Sequence, residues 1–91
     1  MASDMQGMDV DEVRRIGNQL NDAAVEIGAL VARVREQVAV AERAWRGTDA
    51  NHFIRDWAAQ QSKLLDLQRR ISHLAARAQA EAKQQAEVSK V

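Results

Sequence analysis

Three side chains that could bind a metal ion share one side of a predicted helix in the second half of this chain. Asp49, His52 and Asp56 are spaced three and four residues apart, which places them on one face of a helix. However, acids in the first turn of a helix and a solvated histidine account for the same residues. We therefore predict no metal site and no cofactor.

The rest of the sequence offers no other catalytic constellation. The chain contains no cysteine, so it has no thiolate nucleophile, thiolate metal ligand or disulfide. It also lacks a glycine-rich phosphate loop and the zinc-binding His-Glu-x-x-His motif. His73 stands alone beside an apolar stripe, and we expect it to be a packing or surface residue. We predict that the protein is not an enzyme.

Composition and charge indicate a helical protein that does not bind nucleic acid. The 91 residues include no proline, and 29% of them are charged. The formal net charge is zero, which disfavours binding through neutralised phosphates. Residues 1–45 carry a net charge of −3 and residues 46–91 a net charge of +3. Two such halves would attract each other weakly when packed together, and solvated faces explain the division equally well.

The first half of the chain predicts one long amphipathic helix over about 9–45. Asp9 is a suitable N-cap, and Glu12 takes the third helical position as in a capping box. Apolar residues then recur every three or four positions, at Val13, Ile16, Leu20, Ala24, Ile27, Val31, Val34, Val38, Ala41 and Trp45. Gly17 and Gly28 are poor helix formers that a close partner helix would explain; the alternative is that they are tolerated weak points.

A turn at 46–48 separates this helix from a second one over about 49–83. Gly47 has the conformational freedom to end the first helix, and Thr48 is expected to be the N-cap of the second. The second apolar stripe, in which one glutamine is the polar member, consists of Phe53, Trp57, Gln60, Leu64, Leu67, Ile71, Leu74, Ala78 and Ala82.

The two ends of the chain are expected to lie outside the packed helices. We predict that residues 1–8 are flexible and that residues 84–91 fray or are disordered, because the apolar pattern weakens there. The helical hairpin would then occupy residues 9–83 as a single domain.

A hairpin of two such helices cannot enclose its own apolar side chains. The first helix alone would be about 54 Å long. A second hairpin that covers the apolar faces is the economical solution, so the sequence predicts an all-α protein, an antiparallel two-helix hairpin that dimerises into a four-helix bundle. We assign the core of this dimeric bundle to Ile16, Leu20, Ile27, Val31, Val34, Val38, Leu64, Leu67, Ile71 and Leu74.

The aromatic residues cluster near the turn. Trp45, Phe53 and Trp57 are the only three in the chain. We expect them to fill the closed end of the hairpin, where large aromatics bury much apolar area. An indole that stays partly exposed would also make this tip a docking surface.

Two helices around a central Trp45-Arg46-Gly47 make this chain resemble the Trp-x-Gly (WXG) family, the ESAT-like substrates of type VII secretion systems. Phe53 and Trp57 are similar to the aromatics that commonly open the second helix in that family. The resemblance implies a hairpin that forms a homodimer, or a heterodimer with a related hairpin. It also implies export by a membrane ATPase of Gram-positive and actinobacterial cells, as a secreted effector or as the partner or chaperone of a larger toxin.

One departure from the family's pattern concerns the export signal. In the family this signal is a Tyr-x-x-x-Asp/Glu segment after the second helix, and this chain contains no tyrosine. The segment His73-Leu74-Ala75-Ala76-Arg77 has an aromatic-like first residue but a base in place of the acid. We expect either that a partner hairpin supplies the signal or that this protein is not itself the recognised substrate.

The leading hypothesis is a non-catalytic protein of type VII secretion, secreted if a signal is supplied and otherwise cytoplasmic. The first residues lack the basic region and apolar core of a Sec signal peptide. No apolar run approaches the roughly 20 residues that span a bilayer. Two alternatives stay open, a cytoplasmic helical-hairpin adaptor unrelated to secretion and a membrane-active amphipathic protein. The acidic first helix argues against the membrane-active protein.

Overall fold

Two long helices joined by a short turn make up the computed structural model, which describes residues 8–89. Helix α1 spans Val10–Ala44 and helix α2 spans Thr48–Ser89. The described residues contain no strand. The prediction of an all-α helical hairpin is therefore confirmed.

The two helices run antiparallel along their whole length. Near the open end of the hairpin, Gln79 of α2 lies against Gly17 of α1. Near the turn, Arg35 contacts Gln61. The hairpin measures 67 × 17 × 13 Å with a radius of gyration of 20.2 Å, whereas a compact domain of this length has a radius of about 12 Å. The molecule is therefore a rod, two helices wide.

Helix α1 begins as the sequence predicts. The carboxylate of Asp9 accepts a hydrogen bond of 3.1 Å from the backbone N–H of Glu12, and the backbone of Asp9 is extended, as an N-cap requires. Asp11 and Glu12 add negative charge to the first turn, where the helix dipole favours it. The predicted cap is confirmed.

The turn between the helices depends on Gly47. Trp45 leaves α1 in an extended conformation, and Gly47 has a φ of +116°, which favours glycine. The carbonyl of Gly47 accepts a hydrogen bond of 3.1 Å from the N–H of Asn51, so Gly47 holds the N-cap position of α2. The prediction that Thr48 is this N-cap is wrong, because α2 already includes Thr48 as its first residue.

Replacing Gly47 by valine should lower the free energy of unfolding by about 1–3 kcal/mol. No heavy atom outside the adjacent residues lies within 4 Å of a Cβ built at this position, so the loss would come from the backbone conformation alone. Thermal unfolding followed by circular dichroism measures it, with Arg46→Ala as the neighbouring control. Equal melting temperatures for Gly47→Val and the unmodified protein would contradict the role of the positive φ.

Helix α2 extends beyond its predicted end. It continues to Ser89, so the predictions that it ends near 83 and that the tail frays from 84 onwards are wrong for 84–89. Glutamine, alanine and glutamate in this segment are good helix formers. Met8, just before α1, also lines a groove together with Val88, so Met8 lies near this last part of α2. The predictions for residues 1–7 and 90–91 lie outside the described residues.

The core of the hairpin is narrow and built from small residues. Every seventh residue of α1 from Gly17 to Val38 is buried, and these positions are Gly17, Ala24, Val31 and Val38. On α2 the buried residues are Ala50, Ala75 and Ala82. Val31 is the largest side chain that is fully buried among the described residues. Small residues let the helices approach closely, but they leave little apolar area inside the hairpin.

Several residues of the predicted apolar stripes face outward instead. Ile16, Leu67 and Leu74 are 42%, 45% and 56% exposed. Gly17 is buried next to Ile16, and Ala75 next to Leu74. On α2 the positions that turn toward α1 are Ile54, Trp57, Gln61, Leu64, Gln68, Ile71, Ala75, Ala78 and Ala82. Some residues of the predicted stripe therefore lie on the contact line between the helices, and others lie beside it and are exposed.

Candidate interaction surface

One flank of the hairpin, beside the line of contact, is closed by polar side chains. Arg35 Nε donates a hydrogen bond of 2.8 Å to Gln61 Oε1. Gln79 Nε2 lies 2.9 Å from Asn18 Oδ1 and 3.2 Å from the carbonyl oxygen of Arg14, and it donates to both. We call this side the polar flank. Its hydrogen bonds join α1 to α2 directly, so it already has its partners within the chain.

The two glycines inside α1 make room for glutamines of this flank. A Cβ added at Gly17 would lie 2.6 Å from Gln79 Nε2, and one at Gly28 would lie 2.7 Å from Gln68 Nε2. Both distances are shorter than a carbon–nitrogen contact allows. The neighbour of both glycines is thus α2 of the same chain, which contacts them through the side chains of these glutamines.

Gly17→Ala should change the free energy of unfolding little in the unmodified protein. The gain of about 1 kcal/mol in helix propensity is offset because the new methyl group displaces the Gln79 amide from its two hydrogen bonds. In a Gln79→Ala background the same substitution should stabilise by about 1 kcal/mol. Urea unfolding of the four proteins in this cycle measures both values. Equal effects in the two backgrounds would show that Gln79 does not occupy the site.

The opposite flank is apolar and open. In an antiparallel helix pair, each helix contributes to a given flank a row of residues that are seven positions apart and lie just beside the contact line. On this flank, the rows of both helices consist mainly of apolar residues. We call this surface the apolar face, and it consists of Ile16, Leu20, Ile27, Leu30 and Val34 of α1 with Phe53, Trp57, Leu64, Leu67, Ile71, Leu74 and Val88 of α2.

The exposure of residues on the apolar face depends on their distance from the contact line. The members nearest the contact line, such as Leu20, Ile27 and Leu64, are half-buried by the other helix. The outer members, such as Leu67 and Leu74, are about half exposed. Exposed apolar residues scattered singly are ordinary, but a strip along both helices, in which Gln60 and Glu81 are the polar members on α2, is typical of a protein-binding surface. No described residue of the chain covers it.

The predicted core residues fall into two groups. Val31 and Val38 are 2% and 5% exposed and are covered by α2 of the same chain, so they belong to the hairpin's own interior. The other eight, which lie on the apolar face, are Ile16, Leu20, Ile27, Val34, Leu64, Leu67, Ile71 and Leu74. Leu30, which the predicted core omitted, is 43% exposed and belongs to the same face.

The aromatic residues form the turn end of this face. The rings of Trp45 and Phe53 lie 5.6 Å apart with an interplanar angle of 44°, within the range of favourable aromatic pairs. Each of these two residues is 44% exposed, and Trp57 is half-buried. Because Phe53 belongs both to the pair and to the apolar face, the apolar face reaches the tip of the hairpin.

Among residues 8–89, the ion pairs join charged side chains of the same helix. Asp66 contacts both Arg69 and Arg70, and Arg77 contacts Glu81. The hydrogen bond from Arg69, and then the charge of Arg70, lower the pKa of Asp66. The pairing is thus present above this lowered pKa and lost as the pH falls through it. Such exposed pairs contribute little stability, so they do not account for the association of α1 with α2.

The described residues include neither a cluster of three possible metal ligands nor a helix that could span a membrane. Within 8–89, no three His, Asp or Glu side chains lie close enough together to bind a metal ion. Asp49, His52 and Asp56 are all exposed in the first turns of α2. Neither described helix has a stretch long and apolar enough to cross a membrane.

Comparisons with known proteins do not assign a function to this chain. No protein-family model matches it, and no curated protein or solved structure matches it either. The apolar face and the turn are therefore the features from which its function is inferred.

Proposed function

We propose that this protein is non-catalytic and acts by packing its apolar face against another helical hairpin, so that the two form a four-helix bundle. The single observation that carries the proposal is the open apolar face itself. The polar flank is satisfied by hydrogen bonds within the chain, whereas the apolar face leaves large side chains such as Leu74 more than half exposed. A second pair of helices is the usual cover for such a surface.

The size of the apolar face suits a stable protein interface. Phe53 and Val88 are separated by about 53 Å along α2, from the helical rise per residue. With a hairpin width of 17 Å, the face covers about 900 Å², close to the roughly 800 Å² that each partner buries in a standard interface. The accessible surface of 6840 Å² also exceeds the roughly 5,300 Å² expected for a compact protein of this mass.

The charges beside the apolar face favour a protein partner over a lipid surface. Glu26 and Arg33 border it on α1 and line an open groove with Ile27 and Leu30. A helix that binds anionic lipid carries mainly Lys and Arg on its polar side, and this mixed border does not. Mixed signs instead suit the polar rim of a protein interface.

We further propose that the bundle works in type VII secretion, as a secreted protein or as the partner or chaperone of a co-secreted one. Trp45-Arg46-Gly47 lies in the turn between the two helices, the place where the resembling family has its Trp-x-Gly motif. Within this proposal one partner is a second hairpin, which would bind to the apolar face. The other partners are a larger secreted toxin and the secretion ATPase. No role with nucleic acid is proposed.

Export in the native host, with and without the secretion ATPase, tests this second proposal. We expect the protein in the culture medium only when the ATPase is present. Leu67→Asp should reduce export if a partner hairpin supplies the missing signal, whereas the exposed-site control Val25→Asp should not. Export that persists without the ATPase would refute the secretion proposal. Retention in the cytoplasm of the unmodified host would instead favour a helical adaptor, and flotation with liposomes a membrane-active protein.

A further inference from the structure

We infer that the aromatic pair at the tip of the hairpin binds an arginine side chain of a partner protein. Trp45 and Phe53 are each 44% exposed, and their rings lie 5.6 Å apart at an interplanar angle of 44°. The faces of aromatic rings attract cations, and the planar guanidinium of arginine stacks on them. This site shares only Phe53 with the apolar face, and it does not require that a second hairpin covers that face.

The two rings are not covered by a cation from the described part of the chain. Within residues 8–89, the one ring contact is that between Trp45 and Phe53, although Arg46 directly follows Trp45. Arg43 is exposed on the side of α1 remote from α2. Arg55 lies two residues after Phe53, about 200° around α2 and therefore on its opposite side. A cation that stacks on these rings would thus come from another molecule.

Two carboxylates border the outer side of Phe53. Its neighbours on α2, three or four residues away in either direction, are Asp49, Ala50, Asp56 and Trp57. Ala50 is buried and Trp57 is half-buried, so these two lie toward α1, whereas both aspartates are exposed. The exposed side of Phe53 therefore has a negative charge one turn before it and another one turn after it.

Neither of these aspartates is neutralised within the described part of the chain. The ion pairs of α2 between residues 48 and 89 involve the carboxylates of Asp66 and Glu81 and do not include Asp49 or Asp56. The sequence places His52 between the two aspartates, but the three side chains do not form a metal-binding cluster. Both carboxylates can therefore accept hydrogen bonds from a guanidinium that stacks on the neighbouring rings.

The combination of rings and carboxylates favours arginine over other side chains. A guanidinium can stack its plane on an aromatic ring and donate from its edges to carboxylates at the same time. The ammonium group of lysine is a compact charge without such a plane, and an apolar side chain would make no use of Asp49 and Asp56. The formal net charge of the chain is zero, so a cation is attracted by the local charges at this end and not by the molecule as a whole.

Titration with an arginine peptide, followed by nuclear magnetic resonance of the isotope-labelled protein, tests the inference. The probe is hexa-arginine, and the control is the same peptide built from citrulline, the uncharged isostere of arginine. We expect hexa-arginine to shift the indole N–H of Trp45 and the backbone N–H groups of Asp49 and Asp56 most, and the citrulline peptide to shift them little. Equal shifts from the two peptides, shifts centred elsewhere on the hairpin, or no shifts at millimolar peptide would overturn the inference.

Neutralising the two carboxylates tests the site itself. Asp49→Asn combined with Asp56→Asn should weaken hexa-arginine binding about three- to tenfold, because the guanidinium loses both charged acceptors. The matched control, Asp22→Asn combined with Glu36→Gln, removes the same charge from exposed positions of α1 and should leave the dissociation constant unchanged. Trp45→Leu, which keeps an apolar side chain without a ring, should weaken binding about two- to fivefold. Equal weakening by the two double variants, or unchanged binding by Trp45→Leu, would overturn the inference.

Discussion

Replacing Leu67 by aspartate should convert the proposed dimer to a monomer while leaving the hairpin folded. Leu67 is 45% exposed in the hairpin, so a single chain tolerates a carboxylate there. In the proposed dimer the substitution occurs once in each copy, and the lost apolar burial together with the buried carboxylate costs about 2 kcal/mol per copy. The dissociation constant should therefore rise about a thousandfold or more, which light scattering over a concentration series measures.

Val25→Asp is the matched control for this substitution. Val25 is 61% exposed and lies seven residues after Asn18, on the side of α1 toward the polar flank. The same change in chemistry should therefore leave the mass unchanged. A dimeric Leu67→Asp protein would contradict the apolar face as the interface, and a monomeric Val25→Asp protein would show that any added charge dissociates the dimer.

Replacing Val31 by aspartate should unfold the hairpin rather than only separate the copies. Val31 is 2% exposed between the two helices, and no cation among the described residues is bonded there to neutralise a new carboxylate. Burying such an unpaired charge costs about 3–5 kcal/mol, a large part of the stability of a small domain. Long single helices gain most of their stability from packing, so the helical circular dichroism signal should fall sharply.

The same Val25→Asp protein serves as the control for unfolding. It introduces the same side chain into α1 at an exposed position, so its melting temperature should stay within a few degrees of the unmodified value. A Val31→Asp protein that keeps its helical signal and melts at the unmodified temperature would contradict the placement of Val31 in the interior.

Local signals in the sequence were sufficient to predict the elements of the fold. Asp9 and Glu12 mark the start of α1 by a mechanism that acts within one turn. The positive φ of Gly47 similarly follows from a requirement of the turn itself. Such features depend on few neighbours, so the sequence alone predicts them.

The side that each helix presents to the other was harder to predict. Trp57, Leu64, Ile71 and Ala78 belong both to the predicted stripe and to the actual contact line. The positions between them differ in exposure: Leu67 lies on the apolar face, whereas its neighbour Gln68 is turned toward α1. Apolarity alone favours leucine for the interior, but the tight core admits the long glutamine only because α1 has a glycine opposite it. The apolar surplus is thus left for the open flank.

A signal for this register was nevertheless present in the spacing of the polar residues. Gly17 and Gly28 are eleven residues apart, and Gln68 and Gln79 are also eleven apart. In an antiparallel pair, equal spacings allow each glycine to face one glutamine. In the structure, Gly17 faces Gln79 and Gly28 faces Gln68. The periodicity of apolar residues does not contain this information, because glycine and glutamine are not counted among the apolar residues.

The ten residues predicted to form the bundle core are of two kinds in the structure, two in the interior of the hairpin and eight on the apolar face. The sequence has more apolar residues than one hairpin can bury. This surplus predicts that an exposed apolar surface exists, but it does not predict which residues belong to that surface. Val31 and Val38 could be separated from the exposed residues only once the contact line was known.

The mass of the unmodified protein, purified alone, tests most directly whether the apolar face packs against another hairpin. Light scattering is suited to it because the method does not depend on the shape of this elongated molecule. A chain of 10.1 kDa should give a mass of 20.2 kDa, twice that value, with fully helical circular dichroism. A folded, helical species that stays at 10.1 kDa at concentrations well above micromolar would contradict the account.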